Sequence, residues 1–325
     1  EDLIADEESV LVLTQGGYIK RTNPAEYRRQ KRGGVGVVDL DTKEEDFVTQ
    51  FLTASAHSDM LFFSDRGKVY QLKMYDLPEG KRATKGKSIM NFISLEQGEQ
   101  ITSILAMPKQ KKAVEGLSLL MTTRHGTVKR VAASQFHEVR RSGLIAIGLE
   151  KGDALISAQF VYPGDDAVLA TSKGQAIRFA VKDVREMGRQ AAGVRGMKLG
   201  LGDSIVGAGI VPKGVKDAEL LVLSSTGYGK KTKLSEYKTQ GRGGSGIKTM
   251  SITAKTKQLV GAAVVLARGG ELVAMSKKSQ TIRTGLDEIS TLSRATQGVR
   301  VMKMREGDSV ASFVVFEATA AEGDK

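Results

Sequence analysis

Six times along 325 residues, a short apolar stretch enters a turn opened by Ser or Thr and leaves it as a basic stretch. The copies are Thr14-Gln-Gly-Gly-Tyr-Ile-Lys-Arg21, Ser64-Asp-Arg-Gly-Lys-Val-Tyr-Gln71, Thr123-Arg-His-Gly-Thr-Val-Lys-Arg130, Thr171-Ser-Lys-Gly-Gln-Ala-Ile-Arg178, Ser224-Ser-Thr-Gly-Tyr-Gly-Lys-Lys231 and Ser276-Lys-Lys-Ser-Gln-Thr-Ile-Arg283. Their anchors Gly17, Gly67, Gly126, Gly174, Gly227 and Ser279 lie 50, 59, 48, 53 and 52 residues apart. Self-similarity at this period marks a repeat architecture, in which each unit buries its apolar face against its neighbours.

The first half of each unit reads as a hairpin. Val10 to Leu13, Met60 to Phe63, Leu117 to Met121, Ala167 to Ala170, Leu220 to Leu223 and Leu272 to Met275 are apolar runs of strand length bounded by turn residues. The anchor glycine suits a turn position with positive φ, where a Cβ is strained. Ser279 in the last copy predicts a looser turn or one of another type. A second Gly-centred segment follows in each unit, and after most of these comes a β-like stretch introduced by Gly and an acid, as at Gly152-Asp153, Gly202-Asp203 and Gly307-Asp308. Ile205 to Ile210 and Val310 to Phe316 are such stretches. About four strands per unit match one blade of a propeller-like ring. The fold class expected is all-β, with six blades forming one domain over residues 9–318. Residues 1–8 read as a linker and the start of the first blade, and 319–325 as a polar tail.

Charge is spread as evenly as the repeats. The chain carries 49 basic against 37 acidic residues, a formal net charge of +12 and a pI near 9.6. Equivalent positions of successive units fall on one rim of a ring, so the repeated cations predict a positive belt, the electrostatic footprint of nucleic-acid binding. The residues expected to face DNA are Lys20, Arg21, Arg66, Lys68, Lys85, Lys87, Lys129, Arg130, Arg178, Arg195, Lys230, Lys231, Lys233, Arg242 and Arg283. To these the Gly-rich segment adds Gln30, Lys31, Arg32, Gly33, Gly34 and Gly36, whose glycines let the backbone approach a phosphate. Its fifth-unit counterpart, Gln240-Gly-Arg-Gly-Gly-Ser-Gly246, carries one cation and is expected to be a secondary contact on the fifth blade.

Other chemistries find little support. With no cysteine, disulfides and thiolate metal sites are excluded, and a reducing compartment is compatible. No apolar run approaches the ~18 residues of a membrane span. The chain opens at Glu1 with acidic and polar residues and reads as a segment of a larger protein without a signal peptide. Gly241 to Gly246 satisfies G-x-G-x-x-G as a string but lacks the βαβ context that gives the string meaning. Gly80 to Ser88 has five residues between its glycines where a P-loop has four. His57, His125 and His137 have no ligand-like partners at helical or strand spacing, and His125 sits in a hairpin turn. The acids Asp39, Asp41, Glu44, Glu45 and Asp46 read as a solvated loop ahead of a metal site. No nucleophile–base set emerges, so neither a catalytic residue, a metal nor a cofactor is expected.

Gln30-Lys-Arg-Gly-Gly-Val-Gly36 closely resembles the Gln-Arg-Arg-Gly-Gly-Lys-Gly box of the C-terminal domain of the DNA gyrase A protein, differing at Lys31 and Val35. Phe63-Ser-Asp-Arg-Gly-Lys-Val-Tyr70, Gly126-Thr-Val-Lys-Arg130, Gly193-Val-Arg-Gly196 and Gly227-Tyr-Gly-Lys-Lys-Thr232 are similar to that family too, so the resemblance covers essentially the whole chain. It implies a six-bladed β-pinwheel whose blades exchange strands, and which wraps duplex DNA around its rim without sequence specificity, so that gyrase introduces negative supercoils. It further implies a bacterial, cytoplasmic, nucleoid-associated protein. The rest of gyrase A, together with gyrase B, would be its partners, there would be no membrane contact, and the isolated domain would be monomeric. The active-site tyrosine and the ATPase of that family lie outside this region. The equivalent domain of topoisomerase IV, a protein-interaction propeller, and an RNA or single-strand binder are the rival readings. The near-intact box, the absence of tryptophan and the low aromatic content of 5% argue against them in turn.

A compact chain of this length has a radius of gyration of roughly 20 Å. Bending DNA half a turn around it costs about 10–15 kcal/mol. Only phosphate contacts spread over several blades offset that cost.

Overall fold

A computed structural model of the chain describes residues 3–25, 46–81, 83–266 and 268–317. The segment Gln30–Gly36, and Asp39 to Glu45 of the acidic loop, lie outside them. The described residues form six small sheets in chain order, and amphipathic helices are absent except for one short turn, Lys111–Val114.

Each apolar run forms the second strand of its sheet from the ring axis. In the third blade, Ser118–Thr123 pairs antiparallel with Thr127–Ala132 on one side and with Leu155–Val161 on the other. The innermost strands of neighbouring blades meet around the axis, where Gly207 and Gly209 of Ile205–Val211 lie against Ala262 and Val264 of Leu259–Val265. Any side chain at these two glycines would collide with that neighbour.

In the first five blades the outermost strand comes from the following repeat, whereas the described residues give the sixth sheet three strands. Lys87–Ser88 pairs with Tyr18–Thr22 of the first blade, and Leu144–Ile145 with Lys68–Lys73 of the second. Val194–Arg195 pairs with the third blade, Ile247–Lys248 with the fourth, and Val299–Arg300 with the fifth. This donation corrects one expectation: the glycine segment of the fifth unit lies on the fourth blade, where Thr239–Gln240 and Ile247–Lys248 both pair with Gln175–Ala180. No helix follows that segment, which removes the dinucleotide-fingerprint reading structurally.

The core sits between blades. Leu61 and Phe63 of the second blade pack with Leu119, Met121 and Phe136 of the third. Val10, Val12 and Val48 of the first blade pack with Val273, Met275 and Phe316 of the sixth, and Phe51 meets Phe316 edge-on at 5.2 Å. The ring therefore closes through apolar contact between its first and last units.

The anchor turns share one geometry. In all six, the anchor N–H donates to the carbonyl of the Ser/Thr three residues before it, at 3.0–3.1 Å, and Ser279 does so like the glycines. Ser279 adopts φ 66°, so its turn is of the same type, against the looser turn expected. The Ser/Thr preference has a cause: in five copies its hydroxyl accepts the N–H four residues on, as Thr123 does from Thr127 at 3.2 Å. Glycine serves a second purpose at the anchor. At Gly126, with φ 93°, a Cβ would lie 2.7 Å from the Met197 carbonyl, because the next repeat's chain donates the Gly196 N–H to Gly126.

The Gly-acid pairs close the same end of the blade. Asp153 Oδ1 accepts the His125 and Ala154 N–H groups, and Asp203 Oδ1 accepts those of Lys173 and Ser204. Each carboxylate thus ties a hairpin tip to the start of the inner strand.

Candidate nucleic-acid interface

The expected cations divide into three groups according to where the fold puts them. Lys20, Lys129 and Lys230 are buried, with relative exposures of 4%, 0% and 0%, which corrects the expectation that they face DNA. They follow the anchor by three residues in alternate units, and their ammonium groups point into the loop that leads to the donated strand. Lys20 Nζ donates to the carbonyls of Lys81 at 3.0 Å and Thr84 at 2.6 Å. Lys129 Nζ donates to the carbonyls of Ala146, at 2.9 Å, and Arg189. Lys230 Nζ reaches the carbonyls of Ser293, Arg294 and Thr296 at 2.7, 2.8 and 2.9 Å, and the Thr296 hydroxyl at 3.1 Å. Desolvation pushes the Lys129 and Lys230 amines down to about 8. Both still carry their proton at neutral pH, inside cages of carbonyl oxygen.

The second group is held by local partners, most of it at the surface, and within it the burial of Lys231 corrects the expectation that this residue faces DNA. Arg21, Arg130 and Arg178 are half-buried and donate to the carbonyls of Leu77, Val184 and Leu234 in the following unit. Arg178 also pairs with Asp166 at 2.8 Å, and Arg130 with Glu186 at 3.5 Å. Lys231 is only 8% exposed. Arg66 and Lys68 both pair with Glu96, at 2.5 and 3.3 Å. Lys85 stacks over the Tyr18 ring at 3.8 Å. Arg242 spans two blades, donating to the carbonyls of Asp183 and Arg195 at 3.0 Å each, while the backbone of its segment bonds Gly196 and Lys198.

The third group is exposed. Lys87, Arg195, Lys233 and Arg283 project to solvent. Arg195 belongs to a row that composition does not reveal. It is the second residue of its donated strand, and the same position holds Lys248 on the fourth blade and Arg300 on the fifth, both exposed. The charged groups of Arg195 and Lys248 make no ion pair or hydrogen bond with a described residue, and Arg300 lies 5.7 Å from the Tyr228 ring. The first blade substitutes Lys87, one residue earlier, and the second blade breaks the row with Ile145, which is 57% exposed. The pattern was present in Gly193-Val-Arg195, Gly246-Ile-Lys248 and Gly298-Val-Arg300, a positive-φ glycine followed two residues later by a cation.

Among the described residues, no group of three or more His, Asp or Glu side chains is placed to hold a metal ion, and no helix is long and apolar enough to cross a membrane. His125 is exposed on its turn; His57 is half-buried, its Nε2 2.7 Å from the Ile4 carbonyl oxygen.

The family described as DNA gyrase C-terminal domain, beta-propeller, matches residues 8–55, 58–106, 118–161, 165–212, 218–265 and 270–317, one match per blade. The DNA gyrase A protein of Lawsonia intracellularis is 42% identical over 98% of the chain, and that of Escherichia coli K12 is 37% identical over all of it. The chain spans 38% of the length of each of these two relatives. Among solved structures, a DNA gyrase A C-terminal domain superposes with a TM-score of 0.72 at 29% identity, covering 96% of this chain and 100% of that one. The C-terminal domain of a DNA topoisomerase IV reaches 0.81 at 24% identity, covering 97% and 94%, a likeness of fold alone.

Proposed function

The chain belongs to the DNA gyrase C-terminal domain family, and from that premise we propose that it binds duplex DNA without sequence preference and bends it along the outer edge of the ring. The row of unpaired or exposed cations on the donated strands, Arg195, Lys248 and Arg300, carries this reading. Cations at one register position of successive blades present charge at regular intervals along a curved path, and contacts of that kind position a backbone without reading bases. Lys87, Lys233 and Arg283 extend the basic surface. The domain itself catalyses nothing and needs no cofactor. Within the full enzyme it works beside gyrase B and the rest of gyrase A, and its wrap biases strand passage towards negative supercoils. The segment Gln30 to Gly36 completes that wrap: with it replaced by alanines, supercoiling is lost while relaxation persists.

Ligation of nicked circles in the presence of the isolated chain tests the reading. Wrapping with a fixed hand traps a linking difference of one sign that grows with protein concentration. Circles closed with an unchanged linking number would overturn it.

A further inference from the structure

The three buried lysines recur with a regularity that DNA contact does not explain. Three residues after the anchor, the six units carry Lys20, Tyr70, Lys129, Ile177, Lys230 and Ile282, so every odd unit holds a lysine. In the second unit Tyr70 instead donates its hydroxyl to the Glu99 carboxylate at 2.8–2.9 Å, and in the fourth Ile177 packs in the core. The loop that each ammonium grips runs on directly into the donated outer strand. Thr84 precedes Lys87–Ser88, Arg189 precedes Val194–Arg195, and Thr296 precedes Val299–Arg300. All three of these strands bear an exposed cation; the fourth blade's donated strand bears Lys248 without a lysine beneath it, and the second blade's, followed by Ala146 whose carbonyl Lys129 also bonds, bears none.

We infer that Lys20, Lys129 and Lys230 are positioning residues that stake the rim strands of the first, third and fifth blades through ammonium–carbonyl bonds. Their charge never meets DNA; it fixes where Lys87, Arg195 and Arg300 stand. A buried charge is a poor source of net stability, because its desolvation offsets much of what its partners return. Its specific product is geometry, since carbonyls 293, 294 and 296 converge on one nitrogen only when the loop is closed. Without the ammonium these oxygens find water by lifting away from the blade, and Arg300 moves with them.

The consequence for DNA rests on the wrapping proposal, whereas the consequence for the loop does not, so the two are measured separately. Lys230→Met keeps the length and apolar stem of the side chain. In the 325-residue chain, amide hydrogen exchange of residues 296–302 should accelerate at least about 10-fold, while Glu219–Ser224 and Leu259–Val265 stay within about 2-fold of wild type. The slope of log K against log salt for a mixed-sequence duplex should fall by about 1, the loss of one phosphate contact. In Lys230→Ala, propylammonium should restore the slow exchange and tetramethylammonium, which has no N–H, should not. Unchanged exchange of 296–302 in Lys230→Met would overturn the assignment. So would equal loosening of 240–248 by Ile177→Met, which would mean that any substitution at this position frees the loop. Altered exchange in a chain that never bound duplex would leave the stake standing and remove the DNA reading.

Discussion

Replacing Arg195, Lys248 and Arg300 together by alanine removes the row on three successive blades and disturbs no hydrogen bond made by their side chains. Each phosphate contact contributes about 0.9 to the slope of log K against log salt, so the slope should fall by about 2.7. At 0.1 M salt the same contacts account for about 2.7 log units of affinity, a loss of roughly 500-fold, which vanishes as salt approaches 1 M. The elastic cost gives a second expectation. Six blades share one turn, so the arc from the third to the fifth covers about 120°. Bending duplex that far costs about 8–10 kcal/mol. The three contacts return about 4 kcal/mol at 0.1 M, under half of the cost, and the remainder falls to exposed neighbours such as Lys233 and Arg283. The triple variant should therefore retain weak binding and lose the trapped linking difference. Fluorescence anisotropy on a mixed-sequence duplex between 0.05 and 0.5 M salt gives the slope, and circle ligation gives the bend. A slope change below about 1, or an equal loss of affinity at all salt concentrations, would refute the placement of DNA along this row.

Four further outcomes follow from the geometry. Gly126→Ala should cost about 2–4 kcal/mol in urea unfolding, since it adds αL strain and displaces the Met197 carbonyl from a Cβ 2.7 Å away; a cost under about 1 would mean the turn has another way to relax. Ser279→Gly, at the same position with φ 66°, should gain about 0.5–1 kcal/mol, read in the same assay, with a loss counting against shared turn geometry. Tyr70→Phe should cost about 1–3 kcal/mol because it takes a donor from the buried Glu99 carboxylate, which among the described residues keeps the Glu96 N–H at 2.9 Å; an unchanged unfolding midpoint would show that water replaces the hydroxyl. The pH dependence has a definite sign. Desolvation lowers the Lys129 and Lys230 amines from 10.5 to about 8, with Arg189 adding to the effect at Lys129, and Glu236 opposing it and Arg294 adding to it at Lys230. Between those two pH values the unfolded chain binds more protons than the folded one. Wild type should accordingly gain stability relative to Lys129→Met/Lys230→Met as pH rises from 8 towards 10.5, by up to about 1.4 kcal/mol per pH unit per lysine, with a flat difference below 8. Urea titrations at successive pH values would refute this if the difference narrowed as pH rose.

The repeat and its hairpins were legible because they are written locally: an apolar run, a Ser/Thr whose hydroxyl caps the turn, and a glycine with positive φ. Strand donation was not legible from pattern, because Val194–Arg195 or Ile247–Lys248 is two residues long, too short for any periodicity. Only the resemblance implied it, and without the register the glycine segment at 240–246 was placed one blade too far along. The cations failed for a different reason. A lysine in a basic strand reads as solvent-facing, and nothing local reveals that carbonyls from another repeat, 60 or more residues on, converge on it. The alternation Lys, Tyr, Lys, Ile, Lys, Ile was the available clue, since a residue type shared by every second unit answers to packing ahead of a uniform ligand. Lys248 went unnamed because its importance lies in its register with Arg195 and Arg300.

Because each of the first five sheets is completed by residues that lie beyond the next hairpin, the boundaries of those blades and of the chain segments that build them are offset. A ribosome that has released the third hairpin has not yet supplied Val194–Arg195, so the third blade waits with Thr127–Ala132 bare until the fourth unit is translated. An unpaired strand edge is a template for other chains. Truncations designed at the gaps between hairpins should then injure the unit before the cut as well as the one removed. A deletion series intended to map the domain blade by blade would always read one blade too many.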